Sequence, residues 1–448
     1  MKGSLILGVY NNMIRLAFVL LSSFLGTAHA VDLLDIYRDA VRQDAQYGAA
    51  KAQYLSAQER LPQAQASRLP KINLEAGYNY NSVDADSTFS QGHRDFGSYE
   101  YGVTATQSLY RKQNDIAVDL AQLEMLKATT ELEVANQRLM LRTLWLYSDV
   151  LRARTNLGTV RAQKIAVSEQ LELAKRNFLV GTATITDQRE AQARLDLVSA
   201  EELAAKNDLR VSKEALQELV GGPITTNLAP LKMPVALKAP MPNDIDVWVQ
   251  RATEQSLEMT LAKHGVVIAQ TRVEFNRLGT APTVDLVGSI VDSFAGNSTF
   301  GSGSDTTAGV VGLRLRVPLF EGGKVKSETR EAISQYDKTS QELEYVKRKV
   351  AQEARVAFLD VTTGVARIDA FEQALSSTKL QLESTKLGLE VGVRTAVDVL
   401  DAETLLAESR RDMFGAIYDT ILAKFRLQAI TGRLVESDLV AINNLLVK

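Results

Sequence analysis

The sequence predicts an α+β membrane protein. Each chain supplies four strands to a trimeric 12-stranded β-barrel, and a long α-helical barrel continues it. An internal two-fold sequence duplication underlies both parts. Three observations carry this reading: a secretory N-terminus, two proline-free stretches long enough for helices of unusual length, and four alternating segments of membrane-strand length. Composition narrows the chemistry. The 448 residues carry a net charge of −3, with 45% hydrophobic and 23% charged residues. So balanced a chain has no strong electrostatic footprint for nucleic acid. There is no cysteine, which excludes disulfides, thiolate metal sites, a cysteine nucleophile and a lipidated N-terminal cysteine. With only His29, His93 and His264, a histidine triad or zinc centre has no material. No catalytic residue, metal site or cofactor is expected.

The apolar run from Leu16 to Gly26 is too short to span a bilayer. It follows Arg15 and ends in Ala28-His29-Ala30, the pattern of a signal peptide over residues 1–30. Met13 offers an alternative start. No later segment has ~20 apolar residues in a row, so an exported chain without a membrane helix is expected, either soluble or a β-barrel protein. Five of the nine prolines crowd into Pro223, Pro230, Pro234, Pro240 and Pro242. They mark residues 223–243 as a connector between repeats at 31–222 and 244–433, with a tail at 434–448. The repeats match directly. At a shift of 211, Val180, Gly181, Thr184, Asp187, Ala191, Leu195 and Gly221 fall on Val391, Gly392, Thr395, Asp398, Ala402, Leu406 and Gly432.

Each repeat predicts the same order of elements. In the first, a helix-forming stretch runs from Leu33 to Ser67. In KINLEAGYNYN, Ile72, Leu74, Ala76, Tyr78 and Tyr80 alternate with polar residues, giving a strand. The polar stretch from Ser82 to Ser98 reads as a loop, and Tyr99 to Tyr110 as a second strand. Helices follow over Lys112–Phe178, on the order of 100 Å at ~1.5 Å per residue, and Asp187–Leu219. The second repeat predicts a helix over Asp244–Leu278, strands in PTVDLVGSIVDS and AGVVGLRLRVPLF, a Gly/Ser-rich loop between them, and helices over Lys324–Leu389 and Asp398–Gln428. Alternation alone suits a small sheet with one buried face equally well. Export and tyrosines at strand ends favour the membrane. Four strands cannot close, and open edges in lipid cost several kcal/mol per unpaired group. Three copies give twelve strands, whereas two give eight and a filled interior. The helices then form either a hollow cylinder or a solid bundle.

The motifs LVGTATITD, VPLFEGGK and VGVRTAVDVLDAETLL resemble the TolC family, and the resemblance extends from DLLDIYRDAV to LVAINNLL. It implies a homotrimer with a barrel in outer-membrane lipid and a helical barrel crossing the periplasm to a closable end. It also implies a periplasmic adaptor and an inner-membrane pump as partners. The opening segment resembles the type I secretion branch more than the drug-efflux branch. That implies an ABC transporter and an unfolded secreted protein as cargo, with small-molecule efflux the alternative. A soluble periplasmic coiled-coil adaptor is a further, more distant reading, and an enzyme is not expected.

Asp398 and Asp401 stand three apart and share a helix face. Three-fold symmetry would turn them into carboxylate rings that favour cations. The resemblance places them at the periplasmic constriction, with Arg394 as a residue of the closed state and Asp187 as its possible partner. Leu389 stands where the family carries a tyrosine. Helix capping by Asp187 and Asp398 is the simpler alternative. Adaptor docking is implied at the tips, around Gly181, Thr184, Gly392 and Thr395.

Overall fold

A computed structural model describes residues 31–87, 90–224, 227–297 and 302–447. The expected signal peptide lies outside the described residues, as do parts of the two inter-strand turns. Within each repeat the chain runs helix, two strands, long helix, shorter helix. In the first repeat these are α1 (Leu33–Gln43), α2 (Ala45–Gln58), α3 (Arg60–Ala66), β1 (Lys71–Ser87), β2 (Ser90–Tyr110), α4 (Lys112–Leu179) and α5 (Ile185–Val220). In the second they are α6 (Ile245–Gln255), α7 (Leu257–Arg277), β3 (Thr283–Ala295), β4 (Ser304–Arg316), α8 (Lys324–Glu390) and α9 (Ala396–Ile430). A short α10 (Glu436–Asn443) follows.

Three expectations need correction. Each opening helix is broken, at Asp44 and again at Glu59 in the first repeat and at Ser256 in the second. Asp44 and Ser256 each end one helix in extended conformation and cap the next, accepting from Tyr47 N–H at 2.7 Å and Met259 N–H at 3.2 Å. A side-chain acceptor at this spacing offers the backbone a restart that helix propensity does not register. Second, most of the expected polar loop from Ser82 to Ser98 is strand. Pairing of β1 with β2 continues unbroken from Lys71↔Thr106 to Ser87↔Ser90. Beyond the lipid band both faces of a ribbon meet water, so apolar alternation stops while the hydrogen-bonded ladder goes on. At the other end Val317 to Phe320, expected as strand, lie past the end of β4.

The four strands form one antiparallel sheet in the order β1-β2-β3-β4. Register sorts the side chains by face. One face carries Ile72, Leu74 and Tyr78, then Tyr99, Tyr101 and Val103, then Leu286, Ile290 and Phe294, then Val311, Leu313 and Leu315. It is bare of protein: Leu74 is 75% exposed and Val311 83%. The other face carries Glu75, Asn79, Glu100, Thr104, Ser289 and Arg314. An apolar outer band and a polar inner face define a barrel segment. Tyr99 stacks on Phe294 with centroids 5.0 Å apart at one end of the band, where an aromatic girdle belongs. No described helix is long and apolar enough to cross a membrane.

Below the sheet the long helices form a wall. α4 packs on α5 and α9, and α8 packs on α9 and α7. The duplication exposes what is missing. On α4, Ser148 and Thr159 are buried, and Arg152 reaches Asp419 of α9 at 3.5 Å. Their counterparts on α8 are Leu359, Ala370 and Thr363, and all three are exposed. They belong to a stripe in 4-3 spacing that continues through Leu380 and Leu387, the period of a coiled-coil seam. Both wall and sheet thus end in unpaired edges that only further copies can cover, consistent with the trimer.

The main core sits midway along α4. Leu33, Ile36, Leu144, Tyr147, Leu216, Ile417 and Leu439 are buried together there, with Leu228 and Leu231 of the proline-rich segment. Bridges Val31↔Leu228 and Leu231↔Leu446 tie both ends of the described chain into this waist. Tyr147 donates its hydroxyl to the Ala229 carbonyl at 2.8 Å. Asn443 accepts from Leu33 N–H at 3.1 Å and donates to Asp32 at 2.7 Å.

Candidate functional site: the helical tips

Both hairpins turn the same way at the end opposite the sheet. Gly181 and Gly392 adopt φ +79°, a left-handed conformation that ends the long helix and disfavours any side chain. Thr184 and Thr395 then open α5 and α9 with capping boxes. Thr184 Oγ1 accepts from Asp187 N–H at 3.2 Å while Thr184 N–H donates to the Asp187 carboxylate at 2.8 Å. Thr395 and Asp398 repeat both bonds at 2.8 and 3.2 Å. Asp187 is therefore committed to its own cap and, within the chain, is not the partner of Arg394. Arg394 has Asp398 as its carboxylate neighbour at 3.9 Å. The backbone N–H and hydroxyl of Thr395, aided by Arg394, hold the Asp398 carboxyl below its ordinary range.

The expected pair of acids separates. Asp398 belongs to the cap, whereas Asp401, one turn on, accepts from Arg194 of α5 at 2.7 Å. That bond joins the two hairpins of one chain. Beside it Leu400 is fully buried among Val160, Val167, Leu171, Ala191 and Val198 of α4 and α5. An α9 side chain is thus a peg in the core of the other hairpin, worth about 1.5–3 kcal/mol by burial. Within the second hairpin, Leu389 packs on the cluster of Leu382, Val399 and Ala402. Lys386 bonds the nearly buried Glu403 at 2.6 Å. A Cβ at Gly388 would meet the Arg394 side chain at 2.7 Å, so Gly388 leaves the space that Arg394 crosses.

Sequence reasoning found the turns, the caps and the acids but missed Arg194 and Leu400. Arg194 stands seven residues after Asp187, on the same side of α5. The choice of partner across hairpins has no sequence signal. Leu400 carried one: its counterpart at the 211-residue shift is Arg189, and an apolar residue replacing a charged one marks a face covered in one repeat only.

A chain that ends in an open barrel segment at one pole and a capped pair of helical hairpins at the other is a subunit of an outer-membrane channel with a helical conduit. The chain belongs to the outer membrane efflux protein family, whose pattern matches residues 26–222 and 248–433. It is 33% identical to the outer membrane protein TolC of Vibrio cholerae over 439 residues, covering 96% of this chain and 98% of that one. It is 29% identical to the alkaline protease secretion protein AprF of Pseudomonas aeruginosa, covering 92% and 86%. Among solved structures, the outer membrane protein VceC of Vibrio cholerae superposes with a TM-score of 0.75 at 21% identity, covering 89% of this chain and 96% of that one. The CmeC channel of Campylobacter jejuni gives 0.78 at 14% identity, covering 92% and 89%. These two show the fold. The protein is thus an outer-membrane channel of the TolC type. Such channels are trimeric and work with adaptor and transporter components.

Proposed function

We propose that this channel is the exit duct of a type I secretion system, passing unfolded protein from an inner-membrane ABC transporter and periplasmic adaptor to the exterior. One comparison carries the choice. Relatives named for protease secretion, AprF and PrtF of Dickeya chrysanthemi, align at 29% and 28% identity over 92% and 94% of the chain. The relatives BepC of Brucella suis and TtgI of Pseudomonas putida, named for efflux, align at 23% and 22% over 89% and 82%. Deleting the gene and assaying the culture medium tests it. The expected result is loss of a secreted protein with unchanged drug susceptibility. Lost resistance with normal secretion would replace this reading with drug efflux.

The tips are the gate in this reading. Three Asp398 carboxylates around the axis make a cation-attracting ring, with the three Asp401–Arg194 pairs one turn above it. Neutralising Asp398 and Asp401 together is expected to weaken divalent-cation block in single-channel recordings. Unchanged block would remove the ring. Arg394→Ser is expected to raise conductance, and wild-type conductance would exclude Arg394 from the closed state. The turns at Gly181, Thr184, Gly392 and Thr395 are the adaptor's docking points. Disulfide crosslinking from a cysteine at Ala183 tests this against a chain with no native thiol to interfere.

A further inference from the structure

On the far side of α4 from the waist core lies a polar cavity that neither the fold nor the gate uses. Tyr147, Val150 and Leu151 of α4 turn into that core. Asp149, Arg152 and Asn156 fall on the opposite side of the same helix. There they line a cavity of about 690 Å³ together with residues of α5, α8 and α9. That volume suits a drug-sized molecule. Arg152 is committed within the protein, to Asp149 at 2.8 Å and Asp419 at 3.5 Å. Arg411 and Asp412 of α9 are not. Both line the cavity, and among the described residues neither has a hydrogen bond or an ion pair. On α4, Asn156 has its Oδ1 atom buried with no donor to answer it, an arrangement that favours any ligand bringing an N–H.

Gly415 keeps the cavity open. It lines the space from inside α9, where glycine weakens a helix. A Cβ there would meet nothing within 4 Å, so packing does not require the glycine. At the 211-residue shift Gly415 falls on Ala204 and Arg411 on Ala200, so the opening and its free cation belong to the second repeat alone. Phe371 and Phe414 add apolar wall. We infer that this cavity binds a zwitterionic organic molecule with an apolar body, its carboxylate on Arg411 and its ammonium on Asp412 and the Asn156 Oδ1 atom. A guanidinium fork matches a carboxylate, and an ammonium has donors enough for both a carboxylate and an amide oxygen. A simple anion would set a like charge beside Asp412, and a simple cation would do the same at Arg411. The inference goes beyond the duct reading and stands whichever cargo the pore exports.

The test titrates the purified full-length trimer in detergent with the dipeptide phenylalanyl-phenylalanine, read by calorimetry. Three forms are used: free at both ends, amidated at the C-terminus, and acetylated at the N-terminus. The free dipeptide is expected to bind saturably, and each blocked form at least tenfold more weakly. Arg411→Gln is expected to weaken the free dipeptide by the same factor and to leave the amidated form unchanged. Asp412→Asn is expected to weaken the free dipeptide likewise and to leave the acetylated form unchanged. Gly415→Leu, which fills the opening and changes no charge, is expected to abolish binding. Lys263→Gln on α7 serves as the control and is expected to bind as the unmodified protein does. Absence of binding by the free dipeptide, or blocked forms that bind as tightly, overturns the inference. So does equal weakening of all three forms by Arg411→Gln, which would reduce that arginine to support of the wall. Full binding by Gly415→Leu would place the ligand elsewhere and overturn it too. Loss of the trimer on size exclusion in Arg411→Gln and Asp412→Asn would assign the face to contact between copies and also sink it. None of these outcomes bears on whether the pore exports protein.

Discussion

At the first tip Thr184 and Asp187 cap α5, and at the second Thr395 and Asp398 cap α9 with bonds that agree within 0.1 Å. The left-handed glycines share one φ. Around this common turn the residues diverge. Ala183 faces Arg394, Asn177 faces Gly388, Arg189 faces Leu400, and Glu190 faces Asp401. What the tips share builds the turn. What they do not share is carried by the second hairpin and includes its attachments to the first, Leu400 and Asp401. Duplication supplied two equal hairpins, and divergence made one the support and the other the part that rests on it.

The largest expected effect breaks that asymmetry. Leu400→Ala removes the peg and leaves a cavity costing about 2–5 kcal/mol. Its expected result is a destabilised closed end and a several-fold rise in single-channel conductance. Arg189→Ala, the same position in the other repeat, is expected to change stability within about 0.5 kcal/mol. Equal effects would refute the division of roles. Next, Thr184→Ala and Thr395→Ala are each expected to cost about 1 kcal/mol. Hydrogen exchange at the first turns of α5 and α9 should rise alike, because the caps are the same. Smaller again is the exposed pair: Asp401→Arg is expected to cost about 0.2–1 kcal/mol. Adding Arg194→Asp should restore wild-type conductance, and a swap that fails to do so would show the bond to be incidental.

The smallest effect is in pH. Thr395 holds the Asp398 carboxyl below its ordinary value of 3.8. Its contribution to the cap is therefore full above that ordinary value and falls away as acid takes the pH down through the lowered one. Cation block by the proposed ring is expected to persist below pH 4 and to fade only at lower pH, read from block curves in acid buffers. Block that disappears by pH 5 would mean that the capping bonds do not govern this carboxylate.

Much of this architecture was legible because it repeats. A proline-free run specifies a long helix whatever its neighbours, and alternating tyrosines and aliphatics specify a strand with two environments. Contacts between repeats were not legible. Nothing local to Arg194 indicates Asp401, and the stripe from Leu359 to Leu387 carries Leu359 and Ala370 where the first repeat has Ser148 and Thr159, yet it is the polar pair that the fold covers. The strand past Tyr80 was hidden for a related reason. Hydropathy reports burial, and the ladder from Asn81↔Phe96 to Ser87↔Ser90 is held by backbone bonds that hydropathy does not register.

The waist has a consequence for how the protein is made. Asn443 answers the N–H of Leu33 and the carboxylate of Asp32, and Leu446 pairs with Leu231. A chain exported from its N-terminus delivers Leu33 410 residues ahead of Asn443, so the girdle cannot knot until Asn443 has crossed. A product cut short before Asn443 would enter the periplasm with both repeats present and its belt unbuckled, open to proteases at mid-height rather than at either mouth.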